Sequence, residues 1–236
     1  MNDPLKVVFQ GAYPAACGER VWPVAYPAPR EFAARAVEGM WRELGGKLTG
    51  SVREGKVPAG LKPAFVSTSP ALAEVVRDVN KYSNNVMAQH VFLTLARQKN
   101  GVATLDGARE TLRQWWQARF ADVDAPAPDN GAGLSRDARI TAQALARMLQ
   151  AAWASPVMPE LVASLPIAGV DGTLRRSQSR SAAHLKTGSL RDVMAVAGYV
   201  HAQSGRRYVL VAIVNHPNAN AARPVLDALM DWAAKD

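Results

Sequence analysis

Apolar positions keep a helical spacing through most of the chain and change to strand-like runs near its end. From Arg30 to Leu44, Phe32, Ala36, Met40 and Leu44 recur on one face and Gly45-Gly46 closes the segment, which predicts a helix. The positions before it are rich in proline (Pro14, Pro23, Pro27, Pro29), and their short apolar stretches, Leu5–Phe9 and Val21–Ala25, predict loops and edge strands. After the glycine pair a short strand and turn are expected. The three glycines and one proline between Lys47 and Lys62 then read as a connector.

At Ser69-Pro70 a second helix is signalled, with Ser69 as cap and Pro70 at the first position, where its missing N–H costs nothing. Leu72, Val75, Val76 and Val79 form its apolar face. The stripe breaks at Asn80-Lys81-Tyr82-Ser83-Asn84-Asn85, six residues without an aliphatic side chain, and resumes from Val86 to Leu95. Ser83 is thereby placed between two helices. Leu105–Phe120 is amphipathic, and Ala125–Gly133 is a loop. Ser135 is expected to cap a helix reaching about Trp153, with Ile140, Leu145, Met148 and Leu149 toward the core, and Ser155-Pro156 to begin a shorter one.

Beyond Ala183 the period is that of strands: Ala183–Leu185 leads into Lys186-Thr187-Gly188-Ser189, Val193–Val200 is an apolar run, and Ser204-Gly205 turns into Tyr208–Val214. These are expected to pair as antiparallel neighbours. A last helix, about Ala221–Ala234, offers Val225, Leu226, Leu229, Met230 and Trp232 to cover them. Helices before and after a sheet made of hairpins define an α+β class.

Composition narrows the functional classes. With 236 residues, 48% of them hydrophobic, the chain can bury one sizeable core with a smaller second unit. The single cysteine, Cys17, excludes an intrachain disulfide and a zinc site built on several cysteines. No apolar run approaches the roughly 20 residues needed to span a bilayer, so no transmembrane segment is expected, and Met1-Asn2-Asp3-Pro4 does not read as a signal peptide. A formal charge of +8 favours anionic partners. The arginines (Arg175, Arg176, Arg180, Arg191, Arg206, Arg207) are scattered and lack the aromatic and glycine pattern of an RNA-recognition motif, so no nucleic-acid partner is expected. His90, His184, His201 and His216 have no metal-ligand spacing, so neither a metal nor another cofactor is implied. Asp171-Gly172 reads as a turn, and Trp115-Trp116 as packing with one indole at the surface.

Two short motifs carry candidate chemistry: Ser83-Asn84-Asn85 between helices, and Lys186-Thr187-Gly188 on a strand. A chain of this length holds S-x-N about once by accident and K-[ST]-G about once in ten such chains. Taken alone, Ser83 reads equally as a helix-capping serine and Lys186 as a solvated lysine on a strand edge. Their order and settings match the second and third signatures of the penicillin-recognising enzymes, in which S-x-x-K comes first and supplies the nucleophile. An acyl-transfer site needs a hydroxyl and an amide to relay protons and hold the peptide, and a cation beside a strand that pairs with the substrate backbone. Glycine at 188 leaves room for a close approach.

The wider sequence resembles the D-Ala-D-Ala carboxypeptidase/endopeptidases, the class C low-molecular-mass penicillin-binding proteins. The resemblance runs from Ser69-Pro70-Ala71-Leu72-Ala73-Glu74 and Asn80–Ala88 through Asp129–Arg136 and Leu165–Leu174 to His184–Ser189. Asn2-Asp3-Pro4 and Gly45–Gly50 are similar to that family's inserted accessory domain. The resemblance implies a penicillin-binding-protein-like fold at 66–236, an antiparallel sheet with a helical subdomain, after the remainder of the accessory domain and a connector at 1–65. Ser83 would shuttle a proton to the leaving amine, Asn85 would hold a substrate amide, and Lys186 and Thr187 would bind the terminal carboxylate. Gly188 and Ser189 would complete the substrate strand, with the Ser189 N–H as half of an oxyanion hole. The implied partners are peptidoglycan stem peptides ending in D-Ala, and β-lactams for the complete protein, in a periplasmic setting. The accessory-domain likeness speaks against a β-lactamase.

Two departures matter. Ala132 stands where the family is expected to have serine. More seriously, no serine in these 236 residues is followed three positions later by lysine. The resemblance places that element far upstream and makes this chain a C-terminal portion, expected to be inactive alone. The alternative is a non-catalytic peptidoglycan-binding or scaffold remnant. An open sheet edge and uncovered core surface would favour self-association.

Overall fold

The strands β1 (Ala182–Leu190), β2 (Val193–His201) and β3 (Arg207–Asn215) form an antiparallel sheet in the order β1-β2-β3. The structure, a computed structural model, describes residues 8–236, so the expectations on Asn2-Asp3-Pro4 and Leu5–Val7 lie outside the described residues. The chain divides into two compact units, Met1–Ser67 and Thr68–Asp236.

Among the described residues the first unit contains one α-helix, α1 (Pro29–Glu43), within a residue of its predicted bounds. Glu31–Arg35 and Glu38–Arg42 pairs at i, i+4 brace it. Its predicted apolar face does not enter a core: Phe32, Met40 and Leu44 are exposed, and no described residue of this unit is buried. The expected edge strands around Val21–Ala25 and the short strand after Gly46 are absent from the described residues. Prolines and glycines at that density leave too few successive N–H groups and side chains to build a ladder.

In the second unit, alternation along the sheet separates two cores. Ala183 and Leu185 of β1, Met194, Val196 and Val200 of β2 and Leu210 of β3 pack against Leu226 and Met230 of the last helix, α7 (Arg223–Ala234). Tyr199 with Ala197, Val209 and Val211 packs on the other face against Leu145 and Leu149 of α5 (Ala142–Trp153). The Tyr199 hydroxyl donates to the Leu149 carbonyl at 2.7 Å, which satisfies the polar end of a fully buried ring. Gly198, which pairs with Leu185, is dictated by packing: at φ +156° a Cβ there would lie 2.2 Å from the His184 carbonyl oxygen.

Around the sheet stand α2 (Leu72–Tyr82), α3 (Asn85–Asn100), α4 (Leu105–Gln117) and α6 (Met158–Ser164). The helix break expected over 80–85 shrinks to Ser83-Asn84, because Asn80 to Tyr82 remain helical. Ser69 is not the cap of α2. The helix starts two residues later, and the Glu74 carboxylate reaches back to accept from the Ala71 N–H at 3.2 Å. Ser135 caps no helix either: its hydroxyl accepts from the Asp137 and Ala138 N–H groups in a local turn, and Thr141 caps α5. Ile140 therefore falls before that helix and is 39% exposed. On α7, Leu226 and Met230 cover the sheet as expected while Val225 and Trp232 face outward, since a twelve-residue helix turns only one stripe inward. Trp116 is buried and Trp115 partly exposed.

Candidate active site

Ser83 is the C-cap of α2, at φ 53° and ψ 47°, and is the one non-glycine residue with positive φ among the described residues. That left-handed conformation ends α2, and Asn84 starts α3 by accepting from the Met87 N–H at 3.1 Å. The two-residue joint presents Ser83 and Asn85 to one cavity of about 730 Å³, which Lys186, Thr187, Gly188 and Ser189 of β1 also line. All six residues singled out by sequence thus meet in one place.

Within it, Lys186 Nζ donates a short hydrogen bond to Ser83 Oγ and another to the Thr187 carbonyl at 2.7 Å. Burial pushes the Lys186 ammonium below its usual pKa, and it forms no ion pair among the described residues. The cavity therefore holds an uncompensated cation beside a hydroxyl. Asn85 Nδ2 donates to the Ala132 carbonyl at 2.6 Å, and the Ala132 N–H donates to Asn130 Oδ1 at 2.9 Å. At Ala132, where serine was expected, these two backbone groups anchor the loop without a side-chain hydroxyl. Thr187 Oγ1 donates to Thr173 Oγ1 at 2.7 Å. A Cβ on Gly188 would meet only Ala195 Cβ, at an ordinary 3.5 Å, so packing within the protein does not require glycine there.

An internal ion pair fixes the two walls, and the sequence did not reveal it. Lys81, 8% exposed and two residues before Ser83, donates to the Leu165 carbonyl at 2.7 Å and to Asp171 Oδ2 at 2.6 Å. Asp171 Oδ1 accepts from the Ile167 N–H at 2.8 Å. Burial raises the Asp171 pKa, but the Lys81 hydrogen bond and the Ile167 N–H together outweigh that and hold it below the usual carboxylate range. The turn expected at Asp171-Gly172 is thus also a tether from α2 to the 3-10 turn Gly172–Leu174, which carries Thr173 to Thr187. No local pattern could have paired positions 90 apart in sequence; the only signal was a lysine among residues that otherwise interrupt the apolar stripe.

Comparison with known proteins bears on what this geometry serves. The family model described as the D-Ala-D-Ala carboxypeptidase 3 (S13) family matches residues 2–236. The chain is 29% identical over 206 residues to the D-alanyl-D-alanine carboxypeptidase of Actinomadura sp. (strain R39), covering 82% of this chain and 38% of that protein. It is 31% identical over 187 residues to carboxypeptidase DacB of Mycolicibacterium smegmatis, covering 73% and 40%. It therefore spans about two-fifths of the length of these relatives. Among solved structures, penicillin binding protein 4 (dacB) from Haemophilus influenzae, complexed with a novel β-lactam, matches with a TM-score of 0.77 at 21% identity, over 90% of this chain and 53% of that one. That likeness establishes a penicillin-binding-protein-like fold of helices and antiparallel sheet.

Proposed function

The chain belongs to the D-Ala-D-Ala carboxypeptidase 3 (S13) family, and on that premise we propose that its second unit is the substrate-side half of a serine peptidase site for D-Ala-D-Ala ends of peptidoglycan peptides. The observation that carries the proposal is the Lys186–Ser83 contact inside a cavity shared with Asn85, Thr187, Gly188 and Ser189. Lys186 and Thr187 bind the terminal carboxylate, for which the unpaired ammonium is suited. The substrate backbone lies along β1 as an added strand at the sheet's outer edge, which Gly188 keeps clear. Asn85 holds a substrate amide. Ser83, poised by Lys186, passes a proton to the amine that leaves. The Ser189 N–H supplies one donor for the oxyanion.

A nucleophile is needed to complete acyl transfer, and these 236 residues contain no Ser-x-x-Lys. The chain by itself binds such peptides without cleaving them. That same observation favours the second reading, a peptidoglycan-binding remnant. An in-frame Ser-x-x-Lys upstream in the gene makes the whole product an enzyme, and its absence makes it a binder. The first unit is proposed as the remainder of an accessory domain, and the setting as periplasmic. Among the described residues no helix is long and apolar enough to cross a membrane.

Backbone NMR of the chain titrated with acetyl-D-Ala-D-Ala tests the site. Shifts centred on Lys186 to Ser189, lost in Lys186→Met and absent with acetyl-L-Ala-L-Ala, are expected. No shift, or equal shifts with the L,L peptide, refutes the assignment. A fluorescent penicillin is expected to leave no label on this chain after denaturation; a covalent band defeats the claim that it cannot be acylated alone.

A further inference from the structure

Among the described residues β3 pairs with β2 alone, so its other side is open. Two hydrogen bonds at the ends of the strand fix which groups it presents there. The Ala202 N–H donates to the Arg206 carbonyl and the His216 N–H to the Asp192 carbonyl, both at 3.0 Å, so the even-numbered residues turn their backbone groups toward β2. By the alternation of an antiparallel ladder, Arg207, Val209, Val211, Ile213 and Asn215 turn theirs outward. Edge strands are commonly blunted by a proline, a bulge or a charge in mid-strand. β3 has none of these: its nine pairs with β2 run without a bulge, it holds no proline or glycine, and its one charge is at its first residue.

Helix α7 continues this surface. Leu226 and Met230 point into the sheet, whereas Val225, Leu229 and Trp232, at i, i+4 and i+7, form a second apolar stripe. Leu229, Trp232 and Ala233 enclose, with Tyr208 and Leu210 of β3, a groove of about 660 Å³ along the open edge. Val225 and Trp232 are 66% and 70% exposed. The charges of the groove, Lys235 and Asp236, stand at one end, and Asp236 is occupied by the Tyr208 hydroxyl and by Arg206 at 3.1 Å.

We propose that this edge is a self-pairing surface, at which β3 strands of two copies of the chain join antiparallel about a twofold axis at Val211. One six-stranded sheet results, with both α7 helices side by side on the same face. A twofold joint needs a patch that complements itself, and this one does. About Val211, Val209 meets Ile213 of the second copy and Arg207 meets Asn215, so every outward N–H and C=O faces another outward pair. Each Arg207 stays about 26 Å from its counterpart, so no like charges are opposed. An isolated peptide strand would satisfy the edge but leave Val225 and Trp232 in water; a second copy covers both. A strip about 30 Å long and about 16 Å deep on each copy buries about 1,000 Å² in all, at the lower limit for a specific interface. Association in the micromolar range is therefore expected. The pairing leaves β1, two strands away, open in both copies.

Sedimentation of the 236-residue chain from about 1 to about 200 μM tests this, with hydrogen exchange read at both extremes. A monomer that becomes a dimer and goes no further is expected, because the joint uses up both β3 edges. The Val209, Val211 and Ile213 amides are expected to exchange at least about tenfold more slowly in the dimer. Trp232→Glu and Val211→Pro, the latter removing only an outward N–H, are each expected to weaken dimerisation at least about tenfold. Shifts of Lys186 to Ser189 with acetyl-D-Ala-D-Ala report whether these variants remain folded. The exchange pattern of the unaltered chain decides the matter even where a variant folds poorly. A chain that stays monomeric throughout overturns the proposal. So does association that leaves the β3 amides unprotected, continues past the dimer, or survives both substitutions in folded variants. A monomer whose outward β3 amides are already protected also overturns it, since the edge is then covered from within one chain.

Discussion

From residue 8 to 67 no side chain is buried, whereas the unit from Thr68 to Asp236 encloses Trp116, Tyr199, Leu185 and Met230 at 1% exposure or less. Both units contain a well-formed amphipathic helix. In the first, α1 is sustained by local pairs between charged side chains at i, i+4, each worth a few tenths of a kcal/mol. In the second, the apolar stripe of α7 closes one face of a sheet. The difference decides where chemistry can reside. A lysine in the first unit stays in water, while Lys81 and Lys186 in the second are withdrawn from it and respond by pairing or by a lowered pKa.

Substitutions that load the two units differently test this contrast. The largest loss is expected for Gly198→Ala, whose Cβ would collide with the His184 carbonyl oxygen and push β1 away from β2. A destabilisation of about 4 kcal/mol is expected, together with loss of acetyl-D-Ala-D-Ala binding as Lys186 leaves Ser83. A thermal midpoint close to that of the parent would break the comparison at its strongest point. Asp171→Ala comes next. Stranding the buried Lys81 ammonium should cost about 3 kcal/mol, the low end for a broken buried pair because Asp171 itself is 38% exposed. Chemical denaturation measures it, and a cost under about 1 kcal/mol would mean that the tether is dispensable.

Lys186→Met is expected to act in the opposite direction. Burial lowers the folded-state pKa of Lys186, so at neutral pH the charged group costs the fold stability, and that cost fades as pH rises from the lowered pKa toward the unfolded value of about 10.4. The variant should melt higher than the parent near neutrality, with the gap narrowing as pH approaches that value. A variant that melts lower, or a gap independent of pH, rejects the reading. Asp171 has the reverse linkage: its lowered pKa contributes stability above about pH 3.9 that is lost as pH falls through the folded value. Smallest of all should be Phe32→Ala with Met40→Ala in α1, within about 0.5 kcal/mol on the melting of the second unit.

What the sequence made legible follows from the range of the interactions concerned. Periodicity placed α1 within one residue of its bounds and found β2 and β3 and their antiparallel pairing, because one face of each element is read from neighbours on the chain. The joint at Ser83 was legible for the same reason. Caps were less so: Ser69 and Ser135 look alike in sequence, yet Glu74 and Thr141 start the helices, since a serine hydroxyl serves a tight turn as readily as a helix end. The outward turn of Val225 and Trp232 depends on how α7 is rotated over the sheet, and the Lys81–Asp171 tether on a contact across 90 positions. Neither leaves a local trace. In the candidate site, the residues that line one cavity were therefore found, and the contacts that hold them in place were not.

The left-handed backbone at Ser83 also restricts which alcohol can stand there. Threonine would bring an equivalent hydroxyl toward Lys186, but a β-branched side chain at φ 53° meets its own backbone, a conformation such residues almost never adopt. Glycine would fit that backbone with ease and carry no oxygen at all. Asparagine and aspartate tolerate this bend and carry an oxygen, but of the small residues able to end α2 here serine is the one that offers a hydroxyl. The bend in the main chain, before any ligand arrives, has already chosen the side chain.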